Sequence, residues 1–262
     1  MGTTLAQILE TTRAGLAELR ARRAQLERAA ATAAVPPAFR GAFGGRYLGL
    51  VAEVKRRSPS AGVIRGDLDP AERAERYAKH GASAVSVLTD RPFFGGSIED
   101  LEAVTRRVAI PVVRKDFILD EAQILEARAA GASAVLLIVR ALTAPRLRAL
   151  LGFARATGLD ALVEVHTGAE LEQALEAGAR VVGVNSRDLD TFRIDVDAAW
   201  QLLGMIPPDC VAIAESGMST AADVERAAAA GADGVLVGTA LSAVADPGAQ
   251  VRALSGVLRR GR

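Results

Sequence analysis

Four short hydrophobic runs in this 262-residue chain close on charged side chains, of both signs among them. Glu53 and Lys55 end LGLVAEVK, Lys115 ends PVVRK, Glu164 stands near the end of ALVEV, and Glu215 near the end of VAIAES. If each run is a β-strand, successive side chains point to opposite faces. Val51, Glu53 and Lys55 then share one face, as do Val113 with Lys115, Leu162 with Glu164 and Ile213 with Glu215. Apolar residues precede the charges on those faces, which puts the charges at the rim of an interior. An isolated charge is expensive to bury, so the ammonium groups and carboxylates must pair, with their pKa values set by burial and by one another. Neutralising one lysine with one glutamate is a common structural device. Five such groups on four strands go beyond it and suit proton transfer.

Other groups surround this set. Asn185, Ser186 and Arg187 follow VVGV; Asn185 is read either as orienting a substrate hydroxyl or as starting a turn. Glu215-Ser216-Gly217 and Gly238-Thr239-Ala240 end two further runs. Backbone N–H groups at Gly217 and Gly238 can approach an anion without a Cβ in the way. Ser216 and Thr239 add hydroxyl donors, and a short helix expected after Thr239 adds positive potential, which makes this a phosphate seat. Ser58, within RRSPS, either closes over the same ligand or belongs to a polar turn. Phe93, Phe94 and Phe117 form either a slot for a planar ring or the packing beneath a long loop. His166 is read as a local hydrogen-bonding group and left outside the catalytic set. His80 and His166 are the two histidines and lie on separate elements, so no metal site is expected.

A recurring phrase positions these groups. A helical run ends in Gly-Ala and a β-branched strand follows within two residues, in HGASAVSVL from His80, AGASAVLLIV from Ala130, AGARVVGV from Ala177 and AGADGVLVG from Ala230. The glycines suit the left-handed residue that ends a helix. These strands alternate with the four charged runs, and helical stretches from DPAERAERYAKH to PGAQVRALSGVL separate them. Eight alternations predict an α/β fold, a (β/α)8 TIM barrel. Alternate strands of such a barrel share layers of inward side chains, so charges on the first, third, fifth and seventh strands converge on one mouth. A doubly wound sheet is the alternative, but no glycine-rich dinucleotide loop follows AEVKRRSPS.

Leu5, Ile8, Leu16, Leu19 and Leu26 predict one amphipathic helix over residues 4 to 30. It is read as a cap on the barrel bottom, with a flap near the catalytic face as the alternative. The expectation is a single barrel domain over 1–262, of which 1–45 is an N-terminal helical extension.

Composition bounds the partners. The 32 Lys plus Arg and 31 Asp plus Glu leave no field to hold nucleic acid. The lone Cys210 beside a hydrophobic run reads as a buried structural thiol in a reducing compartment. No run approaches the roughly 20 apolar residues that cross a bilayer, and no signal-peptide pattern opens the chain. A cytoplasmic protein with a small phosphorylated partner, no membrane partner and a monomeric state is expected.

The strings AEVKRRSPS, LTDRPFFGGS, VVRKDFI, LVEVH, GVNSRDL, AESG and LVGTAL, in this order and at these spacings, resemble indole-3-glycerol-phosphate synthase. The resemblance runs from the N-terminal helix to the last strand. It implies conversion of 1-(2-carboxyphenylamino)-1-deoxyribulose 5-phosphate to indole-3-glycerol phosphate, carbon dioxide and water, in tryptophan biosynthesis and without a cofactor. It further implies that Lys115, Glu53 and Glu164 are catalytic and that Lys55 binds substrate. The other binding positions fall on Ser58, Phe94, Phe117, Leu136, Asn185, Arg187, Glu215 and Ser216, with phosphate near Gly217, Gly238 and Thr239. Glu164 or Lys55 would supply the proton for the loss of water. A sugar-phosphate isomerase of the same superfamily, similar to phosphoribosylanthranilate isomerase, is the competing expectation.

Overall fold

The computed structural model describes residues 4–188 and 190–261. Eight parallel strands close into a barrel. They are β1 (Gly49–Val54), β2 (Ala84–Leu88), β3 (Val112–Lys115), β4 (Ala134–Ile138), β5 (Asp160–Val165), β6 (Val181–Asn185), β7 (Val211–Glu215) and β8 (Gly234–Val237). The last strand pairs with the first, Val51 opposite Leu236, so no strand edge is left open. A two-stranded ribbon, Arg57–Ser58 with Gly62–Val63, follows β1.

The helices start and stop where local chemistry directs. Asp69, Ser97, Asp120, Thr143, Thr167, Asp195 and Thr220 each accept a backbone N–H at a helix N-terminus. Gly81, Gly131, Gly178 and Gly231, from the four Gly-Ala phrases, all have positive φ, as the phrase predicts.

Strand parity divides the core. Leu50, Ala52, Val85, Val87, Val135 and Leu137 face the helices, whereas Val51, Val113, Leu162 and Ile213 belong to an interior cluster with Ala84, Leu136, Val181 and Leu236. Strand pairing sets Glu53 opposite Ser86, Lys115 opposite Leu88, Glu164 opposite Gly183 and Glu215 opposite Leu236. The interior therefore builds up in alternating layers. Val51, Val113, Leu162 and Ile213 lie beneath Ser86, Leu136, Gly183 and Leu236, and Glu53, Lys115, Glu164 and Glu215 form the next layer. Apolar residues below and open space above hold that charged layer at the carboxyl ends of the strands.

The N-terminal segment departs from expectation twice. It forms two helices, α1 (Leu5–Ala21) and α2 (Arg23–Thr32), because the chain breaks at Arg22, whose N–H closes back on Leu19 and Arg20. And α1 does not cap the bottom. Thr11, Thr12, Gly15 and Leu16 face Thr89, Asp90 and Asp116, which follow β2 and β3, across a groove at the catalytic rim. The Arg20 guanidinium meets Asp120 at 2.7 Å there. Buried Leu5, Ile8 and Leu9 explain the preference, since they join the interior cluster with Phe117 and Leu119. The helix α2 then packs Leu26 and Ala30 on Ala122 and Leu125. The bottom is closed instead by Phe39 and Phe43, fully buried and edge-to-face at 5.2 Å.

Candidate active site

A cavity of about 430 Å³ opens at the carboxyl ends of the strands. It is lined by Glu53, Lys55, Ser58, Phe94, Lys115, Phe117, Leu136, Glu164, Asn185, Arg187, Glu215, Ser216, Gly217, Gly238 and Thr239, the candidate site residues read from the sequence apart from Phe93 and Ser186. Phe93 is the exception among the aromatic residues. It packs against the interior cluster, because Arg91–Phe94 forms a helical turn, capped by Asp90, rather than an open loop. Phe94 and Phe117 face each other at 6.2 Å between ring centroids, with planes at 39°.

The charged layer pairs internally. Lys115 Nζ donates to Glu215 Oε2 at 2.8 Å and to Glu164 Oε2 at 3.3 Å. Lys55 Nζ meets Glu53 Oε1 at 2.8 Å, and Ser86 Oγ donates to the other oxygen of Glu53 at 3.4 Å. Beneath them, Ser242 Oγ donates to the Glu53 carbonyl at 2.9 Å and accepts from the Lys55 N–H at 3.2 Å, pinning the end of β1.

Burial and neighbouring charge oppose each other here, and the outcome differs from group to group. Burial works against the charge on Lys115, yet Glu215, Glu164 and Glu53 overbalance it and hold the ammonium well above the usual lysine range. Burial also pushes Glu53 and Glu164 up, but Lys55 and Lys115 bring Glu53 below its ordinary value, and Lys115 with His166 does the same for Glu164. Glu215 goes the other way: burial, aided by the charges of Glu164 and Glu53, outweighs Lys115 and the carboxyl is pushed up to about 7. The layer thus combines a permanent cation, two carboxylates and one carboxyl that gains or loses its proton near neutrality.

Two glycines, one on β6 and one directly after β8, make this layer fit. A Cβ on Gly183 would overlap Glu215 Oε1 and sit 3.1 Å from both Glu215 Cδ and Leu162 Cδ1. One on Gly238 would overlap Glu53 Oε1 and come within 2.9 Å of Lys55 Nζ. Gly238, read from the sequence as an approach for an anion, hollows out the space for an ion pair.

The expected phosphate seat is a sharply turned loop beside a short helix. Ser216 and Gly217 take consecutive left-handed conformations, φ 66° and 75°, and Ser186 Oγ steadies them by donating to the Glu215 carbonyl at 3.1 Å. A non-glycine residue held this way costs of order 1–3 kcal/mol and is concentrated at functional sites. The helix Thr239–Ala243 starts alongside, as the sequence predicts. Ser58 and Asn185 each line the cavity and each also make the turn that the sequence allows. Ser58 Oγ accepts from the Ala61 N–H at 3.1 Å, and Asn185 Oδ1 from the Arg187 N–H at 3.0 Å.

Sequence reasoning overlooked one contribution and left a second outside the catalytic set. Phe192 and Ile194 form part of the cavity wall, Phe192 with a left-handed φ of 58°, in a loop whose Arg187–Ile194 bridge has no short-range signal. His166 makes the local hydrogen bonds expected of it, to Glu170, and its Nε2 also lies 3.6 Å from Glu164 Oε1. Its position two residues after Glu164 on the same strand face was the signal available. Cys210 is buried, its S–H directed at the Ala179 carbonyl at 3.5 Å.

Sequence comparisons with known proteins converge on one family. The family described as indole-3-glycerol phosphate synthase matches residues 5–254. The indole-3-glycerol phosphate synthase of Chlorobium limicola is 48% identical over 243 residues, covering 91% of this chain and 94% of that protein. That of Dehalococcoides mccartyi strain CBDB1 is 49% identical over 213 residues, covering 80% and 82%. Among solved structures, 3-hexulose-6-phosphate synthase from Salmonella typhimurium superposes with a TM-score of 0.65 at 18% identity, covering 82% of this chain and 100% of that one, a likeness of fold alone. With one family spanning nearly the whole barrel and its strands, the chain belongs to the indole-3-glycerol phosphate synthase family.

Proposed function

We propose that the charged layer closes an indole ring, converting 1-(2-carboxyphenylamino)-1-deoxyribulose 5-phosphate to indole-3-glycerol phosphate with release of carbon dioxide and water. The observation that carries this reading is Lys115, a buried ammonium bridging Glu164 and Glu215 at the centre of the cavity floor. As the aromatic carbon attacks the ribulose carbonyl, negative charge grows on the carbonyl oxygen. An alkoxide is basic enough to take a proton from an ammonium held this firmly cationic, and a fixed cation also stabilises the charge while it develops. Carbon dioxide then leaves and the aryl ring regains aromaticity. The new ring still carries a hydroxyl, whose departure as water needs a second proton; we assign it to Glu164, with Glu53 supporting and Lys55 the alternative donor.

The substrate's two anionic ends set its direction. Ser216, Gly217, Gly238 and Thr239 would hold the phosphate, Lys55 and Arg187 would offer positive charge, and Asn185 and Ser58 would hydrogen-bond the sugar. Phe94, Phe117 and Leu136 would clasp the aryl ring, holding the attacking carbon over the carbonyl, and such orientation is worth several orders of magnitude in rate. We further propose that the chain works as a monomeric, single-domain cytoplasmic enzyme. Among the described residues no helix is long and apolar enough to cross a membrane. The competing isomerase reading has no support from the family comparison. Lys115→Ala is expected to abolish indole formation, followed by product fluorescence, while substrate still binds; turnover at the parental rate would refute the role of Lys115.

A further inference from the structure

We infer that His166 is a positioning residue that stores the proton Glu164 delivers, so that imidazole and carboxylate work as one proton-holding pair. The inference rests on the ring-closure reading and supplies what that reading lacks. A carboxylate held below its ordinary pKa has no proton of its own to give.

The geometry starts at the far side of the ring. Glu170 Oε2 accepts the His166 backbone N–H at 2.7 Å and lies 3.3 Å from Nδ1. Arg140 donates to the other oxygen of Glu170 at 3.2 Å and is itself tied to Asp188 at 2.9 Å. A carboxylate anchored by a guanidinium is an acceptor, so Nδ1 must carry a hydrogen. That leaves Nε2 to face Glu164 Oε1 at 3.6 Å, with the histidine side chain only 5% exposed. Neither atom has a hydrogen-bond partner among the described residues, and both are buried. A bare imidazole nitrogen and a carboxylate oxygen are two buried acceptors turned on each other, an arrangement that is costly unless a proton joins them. A proton on Nε2 and a shift of a few tenths of an ångström turn two orphaned atoms into one charge-assisted hydrogen bond.

The charges around the ring favour that proton. Glu164 faces it from β5, Glu170 from helix Gly168–Glu176, and Arg140 from the turn after β4, two carboxylates against one guanidinium. Burial works against an imidazolium here, yet the two carboxylates prevail and raise the His166 pKa. In the dehydration step the Nε2–H bond breaks as Glu164 gains the proton, and the carboxyl passes a proton to the departing hydroxyl. The C–O bond breaks and water leaves. The ring methylene beside the nitrogen gives one proton back to the site as the double bond forms, which replaces the one spent on the hydroxyl, and the proton that Lys115 gave at ring closure is regained from solvent.

The chain has two histidines, so uniform ¹⁵N-histidine labelling of the whole protein gives a spectrum with one companion signal, from His80, whose Nδ1 lies 2.7 Å from the Arg76 carbonyl. The expected result is His166 protonated on both nitrogens at pH 7, with a titration midpoint that falls by about one unit in Glu164→Gln. In kinetics, His166→Gln should lower kcat about tenfold or more, leave KM within about twofold, and remove the alkaline limb of the kcat profile. A neutral His166 at pH 7 whose titration ignores Glu164→Gln would overturn the pair. So would a His166→Gln enzyme with parental kcat and pH profile. If His166→Gln does not fold, the labelled parent and Glu164→Gln spectra decide alone. A parental protein that makes no indole overturns the ring-closure reading and the delivery step with it, whereas the shared proton is judged by the spectra separately.

Discussion

Gly183→Ala is a single methyl group placed where the structure leaves no room. The new Cβ would overlap Glu215 Oε1 and press on Leu162 Cδ1 at 3.1 Å. Leu162 is fully buried in the layer below and has nowhere to go, so the carboxylate must retreat by about an ångström. That breaks its 2.8 Å contact with Lys115, while Lys115 keeps its 3.3 Å contact with Glu164. Losing every partner of a buried charge costs about 3–5 kcal/mol. Here one partner survives, so the overpacking range of about 1–3 kcal/mol is expected. The effect on rate should be larger than the effect on stability, because a displacement of about 1 Å at a reacting group costs on the order of 10²-fold. The assay is kcat and KM from product fluorescence, alongside thermal melts, with Gly152→Ala as the control. Gly152 lies inside helix Ala144–Ala156 with nothing within 4 Å of its added Cβ, so that change should stabilise by about 0.5–1 kcal/mol and leave kcat alone. A Gly183→Ala enzyme with parental kcat would refute the claim that the glycine exists to seat Glu215.

Phe43→Ala should cost about 3–5 kcal/mol and lower Tm by roughly 8–15 °C, since the ring is 1% exposed beneath the barrel, while KM stays unchanged because the cavity lies at the other end; a coupled change in KM would contradict that separation. Glu215→Gln addresses pH dependence. The Glu215 carboxyl is raised from 4.5 to about 7, foremost by burial, so the folded chain binds this proton more tightly than the unfolded chain. Its stabilising contribution is complete below pH 4.5 and is lost as pH climbs through 7. Glutamine cannot ionise, so the Tm of the variant relative to the parent should rise between pH 5 and pH 8, and a constant difference would show that Glu215 is not held protonated.

Much of this was legible because one-dimensional signals coincide with three-dimensional causes. The Gly-Ala phrases marked helix ends through backbone conformation, which is local, and strand parity put Glu53, Lys115, Glu164 and Glu215 on one layer because a barrel has a single inside. The family resemblance added Leu136, which parity of charged residues does not single out. What escaped depended on packing partners far away in the chain. The leucines of α1 announce an apolar stripe but not its counterpart, and the choice of rim over bottom was made by Phe117 and Leu119. The proximity of His166 to Glu164 follows from parity, but its significance required Glu170 and Arg140, which come from the following helix and from the turn after the preceding strand. Gly238 looked like an approach for an anion because nothing in its own neighbourhood reveals the ion pair on the adjacent strand.

The seat of Phe43 has a consequence for how the chain reaches its native state. The ring rests on Gly49, where an added Cβ would come within 2.5 Å of it, and on Gly234, where it would come within 2.7 Å. One wall of that seat is the first strand and the other is the last, so it does not exist until the two have met. During synthesis from the N-terminus, Phe39 and Phe43 emerge before the last strand of the barrel and cannot take this seat until that strand has been made. Docking of this aromatic pair is therefore a late event that reports ring closure of the sheet, and the interval before it is when the nascent chain is most exposed to aggregation.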